Sequence, residues 1–195
     1  MQPDILCLQE VPCVERTGTD WLKPTDDFLR EAGYSSTTSP AGWIVNNTIY
    51  YRIDSGFNPY THFTTSEKLG ASMVGIQNND HTIWTLHLNA HHPQESGDEL
   101  FNQFFEQVPQ HVQNTSIFTG DFNATLHSAT VEQLTGPLNL SDACQGTLPV
   151  TSLYGEVIDH ILIPTSILPQ VKQSGVYYTA MSDHFPVLVD IEESR

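Results

Sequence analysis

The chain has 195 residues, of which 23 are Asp or Glu and 7 are Lys or Arg, giving a formal net charge of −16. This length suits one compact domain with a buried core, and no stretch approaches the roughly 20 apolar residues of a membrane-spanning helix. Long contacts with nucleic acid need basic side chains that neutralise phosphate, so the charge disfavours a non-specific binder of long duplexes.

The three cysteines and the N-terminus carry information on the compartment. No C-x-x-C pair occurs, which indicates free or buried thiols rather than a disulfide framework. The first residues lack the basic start and the long apolar run of a signal peptide. We therefore expect a cytoplasmic protein by default, with secretion left open, and a monomer.

Short apolar, β-branched runs alternate with turn residues along the chain, which predicts a sheet-rich fold. The predicted strands are Asp4–Gln9, Trp43–Arg52, Ser72–Gln77, Thr82–Leu88, Ser116–Phe122, Val157–Ile163, Val176–Ala180 and Pro186–Ile191. The predicted helices are Thr25–Ala32, Asp98–Val112 and Ser128–Leu134, and Pro109 is expected to end the second one early. Residues 1–195 are expected to form a single α/β or α+β domain of stacked sheets with helices outside.

Acidic and amide side chains follow two of these strands. Glu10 ends the first strand, where a carboxylate suits Mg²⁺, although an ordinary solvated strand end explains it as well. Asp121 and Asn123 follow a later apolar run and share one face of extended backbone. A carboxylate beside an amide can orient a water and donate to a charged oxygen. An Asx-rich turn is the alternative.

Histidines and a further pair of carboxylates complete the set of candidates. Asp159 lies in an apolar strand, where an unpaired carboxylate is costly to bury. His184 is its candidate partner, since a carboxylate can hold an imidazole in one tautomer, whereas backbone donors are the alternative. Asp183 precedes that histidine at a strand entrance and could bind metal or phosphate. His87 is predicted to lie on the polar face of its strand.

The order of these motifs resembles the endonuclease/exonuclease/phosphatase superfamily. The matching segments, in chain order, are PDILCLQEV, NNTIYYR, TLHLNAHH, FTGDFNAT, VIDHILI and SDHFPV. They span nearly the whole chain, and GDFNA and SDHFPV with IDHI between them form a specific combination. The resemblance implies a four-layer α/β sandwich (DNase I-like), in which two mixed sheets pack face to face with helices outside.

The resemblance also implies a Mg²⁺-dependent phosphoester hydrolase, with Mn²⁺ as an alternative metal. Glu10 is implied to be the metal ligand and Asp183 a second metal-side or hydrogen-bonding acid. The substrate would be a phosphoester, as found in nucleic acid, a nucleotide, an inositol phosphate or a phospholipid headgroup. Water would attack phosphorus in line while the metal polarises a phosphate oxygen.

The catalytic roles follow from the same resemblance. Asp121 is implied to orient or activate the attacking water, and Asn123 to contact the phosphate and the transition state. Asp159 and His184 are implied to form a dyad with the histidine against the phosphate or the water. His87 matches a histidine that is a general acid or phosphate contact in some branches. Two further candidate matches in the NNTIYYR segment are Asn47 and Arg52.

One departure from the family pattern leaves two other hypotheses open. Family members begin with a strand that ends in Asn, whereas this chain opens at Met1–Asp4, so we expect an N-terminally incomplete domain. A catalytically inactive member that acts as a binding module is therefore the first alternative. A zinc hydrolase that uses His91 and His92 is the second, although no Cys or H-x-x-x-H spacing accompanies them.

Overall fold

The computed structural model describes residues 2–12, 23–39, 45–145 and 150–192. The strands in these residues are β1 (Ile5–Pro12), β2 (Tyr34–Thr38), β3 (Val45–Arg52), β4 (Asn58–Thr64), β5 (Ser72–Gln77), β6 (Thr82–His87), β7 (Ser116–Asp121), β8 (Leu140–Asp142), β9 (Asp159–Pro164), β10 (Val171–Val176) and β11 (Val187–Ile191). The α-helices are α1 (Lys23–Glu31), α2 (Pro93–Gln107), α3 (Gln110–Gln113) and α4 (Ala129–Leu138).

Most predicted strands are confirmed within a few residues, and β5 has the predicted bounds. The start of the predicted Trp43–Arg52 strand lies outside the described residues, as does Cys13. The prediction of a strand at Val176–Ala180 was wrong, because the strand lies earlier, at Val171–Val176. The polar residues Lys172, Gln173 and Ser174 interrupt the apolar pattern by which a strand is recognised in the sequence. Strands β2, β4 and β8 were not predicted, since they are polar or only three residues long.

The predicted helix Asp98–Val112 is two helices. Helix α2 begins at Pro93, which suits the first helical turn because its missing N–H has no intrahelical partner there. It ends at Gln107, and Pro109 precedes the short α3, so the expected early end is confirmed. No helix among the described residues has the length and apolar character needed to cross a membrane.

Two layers of sheet carry the fold. The larger sheet has six strands in the order β4-β5-β6-β7-β9-β8, and within it β6 and β7 run parallel while the other neighbours are antiparallel. On one of its faces lie the three-stranded sheet β1-β3-β2 and the two-stranded sheet β10-β11. Helices α2 and α4 pack on its other face, and α1 packs beside β2.

Both faces of the larger sheet are therefore buried. Trp84, Phe104 and Phe118 are fully buried between this sheet and the helices, and their rings pack edge to face or stacked. Ile49 and Ile117 belong to a second apolar cluster between the sheets. This arrangement confirms the predicted α/β architecture of packed sheets with helices outside.

A side-chain hydrogen bond aligns the two sheets next to the polar strand ends. Gln9 Nε2 of β1 donates to Thr85 Oγ1 of β6 at 2.7 Å. Glu10, the next residue of β1, and His87, two residues further along β6, are thereby brought to the same edge of the stacked sheets.

Candidate active site

Strand register brings three polar side chains to one edge of the larger sheet. Strand β6 ends at His87 and the parallel β7 ends at Asp121, and these two residues are register partners. Strand β9 runs antiparallel to β7 and begins at Asp159, which is the register partner of Asp121. Because parallel strands finish at the same edge and an antiparallel neighbour starts there, the three side chains meet.

A loop hydrogen-bonded to the start of β9 brings His184 to this edge. His184 forms an isolated bridge with Ser152, and its Nδ1–H donates to both oxygens of Asp159, at 3.0 Å and 3.1 Å. The Asp159 backbone N–H donates to Thr151 Oγ1 at 3.2 Å. The structure thus joins the carboxylate and the histidine that the sequence predicted as partners, although they are separated by 25 residues.

The bond to Asp159 sets the charge of His184. It raises the pKa of the imidazole to about 9 against the opposing effect of partial burial, and the charges of Asp159, Asp121 and Asp183 raise this pKa further. The ring is therefore protonated at neutral pH. Its free Nε2 lies 3.8 Å from Asp121 Oδ2, and its side chain is 31% exposed.

Asp121 is a buried carboxylate among other acids. Burial, followed by the negative charges of Asp159 and Glu10, raises its pKa to about 7, while the Asn123 backbone N–H and His184 act in the opposite direction. Asn123 N donates to Asp121 Oδ1 at 2.7 Å, which fixes the orientation of the carboxylate. A group with a pKa near neutrality can exchange a proton with a reacting water.

Gly120 allows β7 to carry Asp121 into this position. Its φ is +130°, a region that side chains rarely adopt, and a Cβ at this residue would lie 2.1 Å from the Leu86 carbonyl oxygen. The glycine of the GDFNA segment therefore permits the close approach of β6 and β7 immediately before the acid.

The amide of Asn123 is directed at the protein. Its Nδ2 donates to the Leu88 carbonyl at 2.9 Å and to Asp121 Oδ2 at 3.2 Å, which uses both amide hydrogens. The backbone at Asn123 is left-handed, with a φ of 47°. Asn123 therefore holds the Asp121 carboxylate in place, and its contact with a phosphate stays a prediction.

His87 and Glu10 form the opposite side of the site from His184. His87 Nε2 lies 3.6 Å from Asp121 Oδ2 and 3.9 Å from Glu10 Oε1. Burial is the main cause of a lowered His87 pKa, with the charge of His184 acting in the same direction, so this ring is neutral at neutral pH. Glu10 sits in an irregularity of β1 with a φ of 56°, and its side chain is 67% exposed.

The remaining sequence candidates lie outside this group. Asp183 is exposed, and its carbonyl accepts a hydrogen bond from Leu153 N. His91 and His92 are exposed in the turn that Asn89 Oδ1 caps, with His92 3.4 Å from Glu95, so the structure does not bring them to Asp121.

The two candidates of the NNTIYYR segment also contact other residues. Arg52 pairs with Asp54 at 2.9 Å, at the opposite end of β3 from the site. Asn47 is buried and donates to Ser72, tying β3 to β5. Arg52 is therefore not placed to contact a phosphate at Asp121. Asn47, by contrast, lies beside the site, because Ser72 is the register partner of His87.

Thr151 is a supporting residue that sequence reasoning missed. Its fully buried Oγ1 accepts from the backbone N–H groups of Ile158 and Asp159, which fixes the start of β9. Its segment, PVTS, is a plain turn sequence, so no local signal distinguishes it.

The donor set fits a divalent cation. Ligand atoms of Asp121, Asp159 and His184 all lie within 4.8 Å of one another, although His184 would have to release its Nε2 proton to bind a metal. Glu10 presents an exposed carboxylate across His87 from Asp121. Hard carboxylate oxygens suit Mg²⁺. Burial is the main cause of the raised pKa of Asp121, and the negative charges of Asp159 and Glu10 add to it, so a cation here would favour the ionised carboxylate.

A family model described as the endonuclease/exonuclease/phosphatase family matches residues 1–184. The chain belongs to this family. Comparison with curated proteins gave no match. The family is one of phosphoester hydrolases, including nucleases and phosphatases, and its DNase I-like fold is the fold of this chain.

Solved structures of family members share this fold at low sequence identity. The human Nocturnin catalytic domain with bound sulfate is 19% identical with a TM-score of 0.69, covering 97% of this chain and 80% of that one. The Neisseria 3′ phosphatase NExo, bound to a product DNA hairpin, is 16% identical with a TM-score of 0.67, covering 98% and 90%. A mannosyl-6-phosphatase from Bacteroides thetaiotaomicron is 19% identical with a TM-score of 0.64, covering 97% and 85%.

Proposed function

We propose that this chain is a metal-dependent phosphoester hydrolase in which water attacks phosphorus in line. The observation that carries the proposal is the facing pair at the strand ends. A protonated His184, held by Asp159, lies 3.8 Å from Asp121, a carboxylate whose pKa is about 7.

Asp121 is the group that accepts the proton of the attacking water. Asn123 fixes both of its oxygens, so the carboxylate is oriented before substrate binds. A positioned base of this kind contributes about 10²–10⁴-fold to a rate, because its pKa matches the working pH.

His184 supplies positive charge to the phosphate. Its Nδ1–H is used by Asp159, so the Nε2–H is the one free to donate to a phosphate oxygen. A preorganised charged donor is worth more in the transition state, where charge on the phosphate oxygens changes, than it is in water. Neutral His87, on the other side of Asp121, is placed to contact the phosphate. It would have to gain a proton before it could protonate the leaving oxygen.

Mg²⁺, with Mn²⁺ as an alternative, is the metal that these donors suit. Glu10 would hold it, and Asp183 is the second acid proposed on the metal side. When bound, the metal supplies Lewis-acid polarisation of a phosphate oxygen and neutralises the leaving group. Glu10 suits this role because it is the exposed carboxylate nearest to His87.

The site chemistry selects a phosphoester group, which several classes of substrate share. NExo is a 3′ phosphatase whose structure contains product DNA, and the Bacteroides protein is a mannosyl-6-phosphatase. Nucleic acid, nucleotides, inositol phosphates and phospholipid headgroups all present the phosphoester that this site would bind.

Hydrolysis of bis-p-nitrophenyl phosphate tests the proposal. We expect activity with Mg²⁺ or Mn²⁺ that falls by about 10²–10³-fold in His184→Ala, whereas His91→Ala keeps it. If the metal-dependent activity of the unmodified chain were no higher than that of His184→Ala, the result would favour the inactive binding module. A preference for Zn²⁺ that is lost in His91→Ala would favour the zinc hydrolase.

A further inference from the structure

A group of exposed apolar side chains lies next to His184. The described chain has eight large hydrophobic side chains that are exposed, and five of them belong to two segments beside this histidine. We call these five the apolar rim: Leu153, Tyr154, Tyr177, Tyr178 and Met181, which are 64%, 76%, 64%, 55% and 94% exposed.

Backbone hydrogen bonds attach both segments of the apolar rim to the residues around His184. On one side, Leu153 N donates to the Asp183 carbonyl at 2.8 Å, and Ser152 bridges to His184 itself. On the other, Tyr177 N donates to the Pro186 carbonyl at 2.9 Å.

A ring contact holds the second segment as well. The Tyr178 ring packs edge to face on Phe185, with centroids 4.9 Å apart, and Phe185 N donates to the Thr151 carbonyl at 2.8 Å. The apolar rim thus flanks the residue proposed to contact the phosphate, so its natural occupant is the organic part of the substrate.

The charge of the molecule narrows the class of that substrate. Among the described residues, four of the five Lys and Arg side chains pair with carboxylates elsewhere: Lys23, Arg30, Arg52 and Lys172. The site itself is lined by acids and histidines, and the whole chain carries a formal net charge of −16. This negative charge would repel a polyanion strongly and a diester with a single charge much less.

We propose that the apolar rim binds an aromatic group esterified to the phosphate of a monoanionic phosphodiester. This proposal rests on the proposed hydrolase function, since it names the substrate class of the same site. Tyrosine faces stack on planar rings, and exposed Leu and Met side chains cover the edges of such a ring. Exposed apolar patches beside polar sites typically mark ligand or membrane contacts.

An aromatic and an aliphatic diester test the substrate class. Diphenyl phosphate and dimethyl phosphate are both monoanions, and phosphorus-31 NMR follows the hydrolysis of either one. We expect the KM for diphenyl phosphate, divided by the KM for dimethyl phosphate, to rise about tenfold in Tyr154→Ser/Tyr177→Ser, as the loss of ring stacking requires. The control Phe28→Ser, 68% exposed on α1, should leave this ratio unchanged.

A binding experiment separates failure of the apolar rim from failure of the hydrolase. Calorimetry with diphenyl phosphate and dimethyl phosphate needs no turnover. We expect the unmodified chain to bind diphenyl phosphate more tightly than dimethyl phosphate, and the double variant to bind the two equally. Equal affinity for the two compounds, or an unchanged KM ratio, would overturn the proposal. The proposal would also be overturned if the chain bound phosphatidylcholine vesicles, if the double variant lost that binding, and if the chain showed no preference for the aromatic compound. If the chain hydrolysed neither diester but still bound diphenyl phosphate more tightly than dimethyl phosphate, only the proposed hydrolase function would be overturned.

Discussion

The Nδ1 atom of His184 lies 3.0 Å from Oδ2 of Asp159, so the bond that orients the imidazole also keeps it protonated. Asp159 is buried at the start of β9, and its backbone is fixed by Thr151. The pair therefore presents one N–H, on Nε2, toward Asp121 and the space in which we propose the phosphate binds.

The first prediction removes the charge from this pair. Asp159→Asn keeps the size of the side chain but removes the negative charge, so the pKa of His184 should fall toward its ordinary value. We expect kcat to drop by about 10²–10⁴-fold with a smaller change in KM. Steady-state kinetics measures the rates, and histidine NMR measures the pKa. Asp190→Asn, at an exposed position on β11, is the matched control.

The second prediction concerns Gly120. A Cβ at this residue would lie 2.1 Å from the Leu86 carbonyl oxygen, and its φ of +130° disfavours any side chain. Gly120→Ala should therefore lower the free energy of unfolding by about 1–3 kcal/mol or more. Gly175→Ala, in β10 with open space around the new methyl group, should raise it by about 0.5–1 kcal/mol. Urea unfolding measures the free energy of unfolding of both variants, and equal values for the two would contradict this explanation.

The third prediction is a pH dependence of stability from His160. This ring is 1% exposed, its Nε2–H donates to the Ala124 carbonyl at 2.9 Å, and its Nδ1 has no hydrogen-bond partner among the described residues. Burial lowers its pKa, against the opposing effects of the Ala124 bond and of the negative charges of Asp142 and Asp159.

A lowered pKa in the folded state means that the unfolded chain binds this proton more readily. The stability from His160 is therefore complete above the unfolded pKa of about 6.5 and is lost as the pH falls below it. Urea unfolding with chelator between pH 5 and 8 should show a smaller loss toward acid in His160→Gln than in the unmodified chain. His111→Gln, an exposed control, should keep the original dependence. Parallel curves for the unmodified chain and His160→Gln would exclude this role.

The fourth prediction concerns the metal. Glu10→Gln removes one carboxylate charge from the proposed ligand set, so the Mg²⁺ concentration that gives half-maximal activity should rise by about tenfold or more. Glu31→Gln, at an exposed position at the end of α1, is the control and should leave that concentration unchanged. Activity measured across a Mg²⁺ titration gives both values, and an unaltered titration for Glu10→Gln would remove it from the metal site.

The polar strand ends were predictable because each one interrupts an apolar run. His87, Asp121 and Asp159 each follow or begin a strand whose buried residues are clear in the sequence, and strand register then brings them together. The pairing of Asp159 with His184 was predictable from the cost of burying a lone carboxylate.

Other features depend on tertiary contacts that no local pattern encodes. The left-handed backbone of Glu10 arises where β1 shifts register against β3. Both amide hydrogens of Asn123 are used by groups brought in from other positions, including Leu88, 35 residues away in the chain. Strands β2 and β4 are rich in polar residues and form because neighbouring strands pair with them.

The substitution Asp121→Asn tests the central claim most directly. We predict that the unmodified chain hydrolyses bis-p-nitrophenyl phosphate only when Mg²⁺ or Mn²⁺ is present, and that kcat/KM falls by about 10²–10⁴-fold in the folded Asp121→Asn variant. Equal activity of the variant and the unmodified chain, or no metal-dependent hydrolysis by the unmodified chain, would contradict the assignment of this strand-end cluster as the active site.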